Sequence, residues 1–386
     1  MVHHRIVLSG GGTGGHIYPA LAVAEYLKDD PAVEAILYMG AAGHLEEKLA
    51  ADRKLEFVGI EVSGLPRKLS GRLLEWPVEI TRAVMEAKKL LRLFRPTVVL
   101  GTGGYAAAPP LAAAALLSVP YAIHEPDAHP GLVNRVFCRG ATLVSVGMEA
   151  GVEYLKPSRG KLIVNGNPVR KSFVNPLGRD AACAVLGLNM SLPTVLITGG
   201  SQGAQAVNEA LTVALPSLLQ ADPPIQIIHQ AGEKNVQQLK ERLDRSILQN
   251  PRYLLRAYFD DLSIAYAACD LAVCRAGAMT IAELSVTGTP ALFIPYPHAA
   301  ADHQTHNARF LAGREAAAVL PQARLTGQSL RDSILELLAD SERLHSMRAA
   351  SRSLGKPQAA SDLADQVKEV SASHLARTRA QVTELT

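Results

Sequence analysis

Short β-branched apolar runs alternate with stretches whose apolar positions recur at helical spacing through the first third of the chain. Ile6 to Leu8 precedes Leu21 to Lys28, Ala35 to Met39 precedes His44 to Asp52, Thr97 to Leu100 precedes Leu111 to Ser118, and Tyr121 to His124 closes the series. This alternation predicts strands joined by helical crossovers, hence an α/β fold built on a doubly wound parallel sheet. The rhythm restarts at Thr194 to Thr198 and continues through Gln205 to Leu219, Ile225 to Gln230, Lys234 to Leu248, Leu271 to Cys274 and Ala291 to Ile294. The chain therefore reads as two α/β halves. Each opens on a strand, a glycine-rich turn and a helix, with Gly10-Gly11-Gly12-Thr13-Gly14-Gly15-His16 in the first and Gly199-Gly200-Ser201-Gln202-Gly203-Ala204 in the second.

Val164-Asn165-Gly166-Asn167-Pro168-Val169-Arg170 is rich in turn formers and suits a hinge, which sets the expected domains at 1–166 and 167–355. Past Gly355-Lys356-Pro357, Ser361 to Val370 reads as a closing helix within 356–386. Thr97 to Ile123 carries no charged side chain and is long enough to span a bilayer. Its glycines at 101, 103 and 104 and prolines at 109, 110 and 120 instead cut it into strand, loop, Ala-rich helix and strand. A buried β-α-β unit is expected there.

Composition narrows the partners. With 386 residues and 48% apolar content the chain can build packed cores, which excludes disorder and a small disulfide scaffold. A net charge of +3 is too weak for wholesale nucleic-acid binding. The four cysteines, at 138, 183, 269 and 274, form no Cys-x-x-Cys pair and read as buried reduced thiols. The apolar run before the first glycines is too short for the core of a signal peptide, so a cytosolic chain is expected.

A glycine turn at the carboxyl end of a strand lets backbone approach a ligand, and the helix that follows offers free N–H groups to phosphate or pyrophosphate. Gly10, Gly12 and Gly15 satisfy the dinucleotide spacing, but Gly40-Ala41-Ala42 after the second strand supplies no acid to grip a ribose. A nicotinamide cofactor therefore loses ground, and no cofactor is expected. His16 falls at the start of the first helix, where the dipole favours the neutral imidazole, a state suited to a general base; a capping or packing histidine is the plain alternative. Tyr121-Ala122-Ile123 delivers His124 and Glu125 to the ligand edge of the sheet, where Glu125 can be base or orienter.

In the second half, Cys274-Arg275-Ala276-Gly277-Ala278-Met279-Thr280 is again a strand end, a glycine turn and a helix start. Glu283, three residues after Thr280, can accept hydrogen bonds from ribose hydroxyls or can complete a capping box with Thr280. His124, Glu125, Asp127 and His129 form one metal-like cluster and His298, Asp302, His303 and His306 another, but neither has a recognised ligand spacing, so no metal is expected. Residues 65 to 95 hold eight Lys or Arg against three Glu, with Leu73, Leu74, Trp76 and Ile80 among them. That mixture suits an anionic membrane surface, or else a solvated helix whose apolar face joins the core.

Read together, Gly11-Gly12-Thr13-Gly14-Gly15-His16, Gly103-Gly104-Tyr105, His124-Glu125, Gly131-Leu132-x-Asn134, Gly166-Asn167-Pro168-Val169-Arg170, Gly199 to Ala204, Asp260-Asp261-Leu262, Arg275-x-Gly277-Ala278-x-Thr280-x-x-Glu283 and His303-Gln304-x-x-Asn307-Ala308 resemble the MurG family in order and spacing. The likeness covers about residues 5 to 355. It implies a GT-B fold, two Rossmann-like domains facing across a cleft, with the closing helix returning to the first. It also implies an inverting, metal-independent transfer of GlcNAc from UDP-GlcNAc to the muramoyl 4-hydroxyl of lipid I, giving lipid II. The place implied is the cytoplasmic face of the plasma membrane, with the anionic inner-membrane surface and other cell-wall synthesis proteins as partners.

By the same resemblance the donor would meet Arg170 and Ser201 at the diphosphate with Gln202 beside them, Phe259 backbone at uracil, Ala278, Met279 and Thr280 at a helix start, Glu283 at ribose, and His303 and Gln304 near the sugar. Thr13, Gly14 and Gly15 would approach the acceptor diphosphate or the donor sugar, His16 would be the base with Glu125 as alternative or helper, and Asn134 would touch substrate. Two positions depart from the family pattern. The amide expected after His-Glu-Gln is Asp127, which accepts but cannot donate when ionised, and the serine often preceding the donor glycine is Ala276. Rival readings keep the fold with another acceptor or a 2-epimerase chemistry, or make the chain a nucleotide-sugar-binding subunit.

Overall fold

A computed structural model of the chain describes residues 3–65, 72–200, 202–299 and 302–384, with the side chains of 72–74 and 381–384 not described. It divides into two compact units, Met1–Arg170 with Pro357–Thr386, and Lys171–Lys356. The first holds β1 His4–Ser9, β2 Val33–Ala41, β3 Glu56–Ile60, β4 Val98–Gly101, β5 Tyr121–Glu125, β6 Leu143–Val146 and β7 Lys161–Val164, in the order β3-β2-β1-β4-β5-β6-β7. The second holds β8 Thr194–Thr198, β9 Gln226–Gln230, β10 Tyr253–Arg256, β11 Leu271–Cys274, β12 Ala291–Phe293 and β13 Ala317–Val319, in the order β10-β9-β8-β11-β12-β13. Every pairing is parallel. Both sheets start at a middle strand and wind outward in two directions, so the order reverses between β1 and β4 and between β8 and β11. In open α/β sheets the carboxyl ends at that reversal are where ligands bind.

Helices cover the faces because the central strands are apolar on both sides. Val7 faces a cluster with Val99, Ile123 and Val144, while Ile6 and Leu8 face another with Leu21, Leu27, Val98 and Leu100. The uncharged segment from Thr97 resolves into β4, a 3-10 turn, the helix Ala108–Leu116 and β5, with Pro109 and Pro110 in the helix's first turn, where their missing amide hydrogens are not needed. Among the described residues no helix is long and apolar enough to cross a membrane. The helical run expected from Lys234 to Leu248 is two helices, Glu233–Arg242 and Arg245–Leu248. Leu243 turns extended between them so that its side chain enters the second core.

The closing helix is longer than its sequence pattern, Ala359–Glu384, and it packs in the first unit against the helix Gly14–Leu27. Leu363, Ala364, Val367 and Val370 join Ile6, Leu8 and Leu21 in one cluster. A buried polar chain pins the same helix: His4 Nδ1 lies 2.7 Å from Ser371 Oγ, Ser371 donates to Thr97 Oγ1 at 2.6 Å, and Thr97 donates to the Arg5 carbonyl at 3.1 Å. Because Ser371 spends its hydrogen on Thr97, His4 must donate from Nδ1. Lys368 and Asp30 add an ion pair beside it. Leu363 is fully buried, so Leu363→Ala is expected to cost about 3 kcal/mol through lost transfer energy and a cavity, read as a lower urea midpoint for the first unit.

Candidate active site

In the first unit the turn Gly10–Thr13 ends β1 and starts the helix Gly14–Leu27, and Thr102-Gly103-Gly104 ends the neighbouring β4. Thr13 occupies the cap position with no side-chain cap bond, and its carbonyl takes the amides of His16 and Ile17. The amides of Gly14 and Gly15 precede any helical acceptor and are open to an anion. His16 is the third helical residue and half-buried. Its Nδ1 lies 3.2 Å from the Thr102 carbonyl, which can only accept, so Nδ1 carries the hydrogen and Nε2 carries the lone pair. Burial lowers the imidazole's pKa against the opposing pull of Asp127, keeping the ring neutral. Gly103 is fitted to this contact: at φ +98 it holds a conformation that side chains avoid, and a Cβ there would stand 2.7 Å from His16 Nδ1.

Glu125 ends β5 and is completely buried. Its Oε1 accepts the Asp127 amide at 2.9 Å, and its Oε2 accepts the Gly131 amide at 3.0 Å and Asn134 Nδ2 at 2.9 Å. Burial raises its pKa to about 7, with Asp127 adding to the rise and the three donors opposing it. The carboxyl group thus organises the loop that follows it. Asn134, buried on the short helix Leu132–Phe137, gives its second amide hydrogen to the His124 carbonyl at 3.1 Å, while its Oδ1 receives no hydrogen bond from the described residues. His124 is structural: Nε2 donates to Asn167 Oδ1 at 3.1 Å, Nδ1 lies 3.0 Å from Ser145 Oγ, and burial lowers its pKa to about 4. Asn167 directs its Nδ2 to the Pro126 carbonyl, which is why its oxygen faces the histidine.

Arg170, expected with the donor loop of a second domain starting at 167, instead closes the first unit. It is buried, with its guanidinium 5.2 Å from the ring of Tyr18, on the helix that carries His16.

In the second unit the turn after β8 leads into the helix Gln205–Leu219, and the turn after β11 leads into Ala278–Thr287. Ser201 lies outside the described residues; Gln202 is exposed beside it. Ala278 and Met279 are buried in the first turn of their helix, Thr280 is its third residue, and Glu283 is buried one turn further on. The helix is capped by Gly277, which has no side chain, so the capping-box reading of Thr280 with Glu283 fails. Gln304, in the helix His303–Ala312, accepts the Tyr296 amide at 3.0 Å and so lies by the chain leaving β12. Asn307 in the same helix donates to the Ala276 carbonyl at 3.1 Å. Phe259 follows β10, and its amide donates to Gln230 Oε1 at 3.0 Å. The sheet order β10-β9-β8-β11-β12 therefore sets Phe259, Gln202, Ala278 to Thr280 and Gln304 along the same edge, with the end of β9 between the first two.

Neither metal-like cluster forms a ligand set. His129 tilts against Tyr154 and His298 against Tyr296, Asp302 accepts from Thr305, and among the described residues no three His, Cys, Asp or Glu gather around one point. On the basic helix Arg72–Phe94, the side chains of Leu73 and Leu74 lie outside those described. Trp76 is half-buried with Nε1 directed to the Ser63 carbonyl at 3.4 Å, and Ile80 packs on the core. The helical period puts Ile80, Ala83, Ala87 and Leu91 inside; Val78, Arg82, Met85, Lys89 and Arg92 form the outward stripe, Val78 at 53% and Met85 at 58% exposure. Thr102, Tyr18 and Gln230 also belong to these sites without standing in a motif. Only Gln230 carried a signal, a polar residue ending the apolar strand Ile225 to Gln230.

Two doubly wound units with glycine turns at their switch points define a class of fold, GT-B. Models of the glycosyltransferase family 28 N-terminal domain and C-terminal domain match residues 6–146 and 194–367. The chain belongs to glycosyltransferase family 28, in its MurG branch. It is 38% identical over 369 residues to a Halothermothrix orenii protein named UDP-N-acetylglucosamine--N-acetylmuramyl-(pentapeptide) pyrophosphoryl-undecaprenol N-acetylglucosamine transferase, covering 95% of this chain and 98% of that one. The crystal structure of Acinetobacter baumannii MurG matches with a TM-score of 0.69 at 30% identity, over 95% of this chain and 99% of that one. A putative UDP-N-acetylglucosamine 2-epimerase from Listeria monocytogenes matches with a TM-score of 0.67, over 95% and 96%, but at 13% identity it shares the fold alone.

The raised pKa of Glu125 has a thermodynamic signature. Between its ordinary value near 4.5 and about 7 the folded chain holds a proton that the unfolded chain has lost, so this group's contribution to stability is complete below that window and declines as pH rises through it. The change is about 3 kcal/mol, and Glu125→Gln is expected to flatten that part of a stability-against-pH curve measured by urea unfolding.

Proposed function

We infer that the chain transfers GlcNAc from UDP-GlcNAc to the muramoyl 4-hydroxyl of lipid I, with inversion, giving lipid II at the cytoplasmic face of the plasma membrane. The names of relatives that match nearly end to end support the substrates. The observation that carries the chemistry is His16, a neutral imidazole whose Nδ1–H is spent on Thr102 and whose Nε2 is left as the acceptor. In this reading the acceptor hydroxyl gives its proton to Nε2 as its oxygen bonds to the anomeric carbon. The bond from that carbon to the phosphate oxygen breaks, and its electron pair leaves with UDP.

Charge growing on UDP meets the amides at the starts of Gln205–Leu219 and Ala278–Thr287, fixed dipoles that need no reorganisation. Glu283 is assigned to the ribose, Gln304 and His303 to the sugar, and Arg170 to a diphosphate. On the acceptor side Thr13, Gly14 and Gly15 present amides, and Asn134 is assigned to the acceptor through the loop it holds with Glu125. Glu125 is a positioning residue here, because both its oxygens already hold loop donors. Asp127 affects the base through its charge, which favours proton uptake by His16.

With labelled UDP-GlcNAc and a lipid I analogue, product and UDP are expected only when acceptor is present, and chelator is expected to leave the rate unchanged. His16→Ala should lower kcat by about 10²- to 10⁴-fold while donor KM stays within about twofold. Acceptor-independent UDP release, or epimerised sugar, would reject the assignment.

We also place the outward stripe Val78, Arg82, Met85, Lys89 and Arg92 on an anionic membrane surface, where each cation is worth about 1 kcal/mol. Arg82→Glu with Lys89→Glu should reduce co-sedimentation with vesicles containing anionic phospholipid at least tenfold and leave binding to zwitterionic vesicles unchanged. Equal sedimentation of variant and parent would remove this surface from the account.

A further inference from the structure

We propose that Gln230 is a positioning residue for the nucleotide site of the second unit, locking its glycine turn to the segment that carries Phe259. The proposal rests on that unit being the UDP-GlcNAc donor site. Topology makes the arrangement possible. β9 runs between β8 and β10, and the register sets Gln230 beside Thr198 on one side and Arg256 on the other, at the carboxyl ends of all three strands.

The Gln230 side chain is buried, and it turns away from the ladder to the loops beyond it. Nε2 donates to Thr198 Oγ1 at 3.1 Å and to the Gly200 carbonyl at 3.2 Å, and Oε1 accepts the Phe259 amide at 3.0 Å. Both amide hydrogens and one acceptor site are therefore spent on two separate loops. The Gly200 amide also binds Thr198 Oγ1 at 3.1 Å, and its carbonyl also takes the Gly203 amide at 3.0 Å. Gly200 is thus held at both ends of its peptide environment, and Gln230 is the member of that knot which reaches Phe259.

The next residue repeats the pattern. The Ala231 carbonyl accepts Asn208 Nδ2 at 2.9 Å and Asn235 Nδ2 at 3.0 Å, and Asn235 also reaches the Gln202 carbonyl. Gly203, at φ +75, leaves room for this amide, since a Cβ there would stand 2.6 Å from Asn235 Nδ2. The sheet does not need the Gln230 side chain, because β9 is paired by backbone to both neighbours along its length. What the side chain adds is a fixed relation between the turn offered to a diphosphate and the backbone offered to a base. It also spends the Phe259 N–H, so a base edge approaching that residue meets its carbonyl as the remaining backbone partner.

Gln230→Met keeps length and removes all three hydrogen bonds, whereas Gln230→Glu keeps the acceptor for Phe259 and loses the donors to Thr198 and Gly200. In the full chain, Gln230→Met is expected to weaken UDP binding, measured by calorimetry, at least tenfold and to raise donor KM in parallel, with acceptor KM and kcat moving less than threefold. Gln230→Glu should show the same split, and it carries the test if the Met variant does not fold. A folded variant that binds UDP like the parent overturns the proposal, as does an equal loss in donor and acceptor KM, the mark of a merely structural role. A parent chain that fails to bind UDP overturns the donor reading itself, and this proposal with it.

Discussion

A parallel sheet that winds outward from its middle strand in both directions leaves the carboxyl ends of two adjacent strands without a crossover between them. In this chain that constraint operates twice, between β1 and β4 and between β8 and β11. Backbone at such a gap must turn sharply and stay polar, and glycine meets the first demand while first-turn helix amides meet the second. His16 faces the Thr102 carbonyl only because the turns after β1 and β4 are neighbours there. The pairing of β4 with β5 and of β5 with β6 then brings Glu125, Asp127 and Asn134 to the same edge.

Burial then decides the charge states in the first unit. Desolvation lowers His16, takes His124 down to about 4 and lifts Glu125 to about 7, so uncharged forms are favoured where polar residues are densest. Two of these groups serve the scaffold, since His124 and Glu125 have their hydrogen-bonding atoms engaged by Ser145, Asn167, Asn134 and loop amides. His16 differs in that, among the described residues, one ring nitrogen is engaged and the other is not. A neutral base beside backbone dipoles takes up a proton without first displacing a counter-ion.

In the second unit side-chain amides carry hydrogen bonds among the turns, beside the buried carboxylate of Glu283. Gln230, Asn208, Asn235 and Asn307 carry the hydrogen bonds among its turns, and Gln226 does the same at the opposite end of β9, where it joins Asn189 to Thr194. Amides supply donors and acceptors together and keep their shape across the pH range. The two units therefore share a topology and differ in how their turns are tied: buried ionisable groups hold the loops of the first, whereas side-chain amides hold those of the second.

Much of this was legible in the chain alone. Apolar alternation set the two α/β halves, because strands buried on both faces must be apolar throughout and their crossovers must be amphipathic. Glycine turns before helices marked both switch points, and the run of separate motifs in order marked the family. β3, β6, β7, β10 and β13 are not legible in the chain alone, because runs of three to five residues are too short to set a period. Local pattern also could not show that Ile80 turns inward, that Gly277 and not Thr280 caps its helix, or that Arg170 rests on Tyr18. Spacing along a chain determines which residues can share a face. Which nitrogen of His16 holds the hydrogen, and which loops Gln230 ties together, depends on strands brought side by side from distant sequence, and only the tertiary structure decides that.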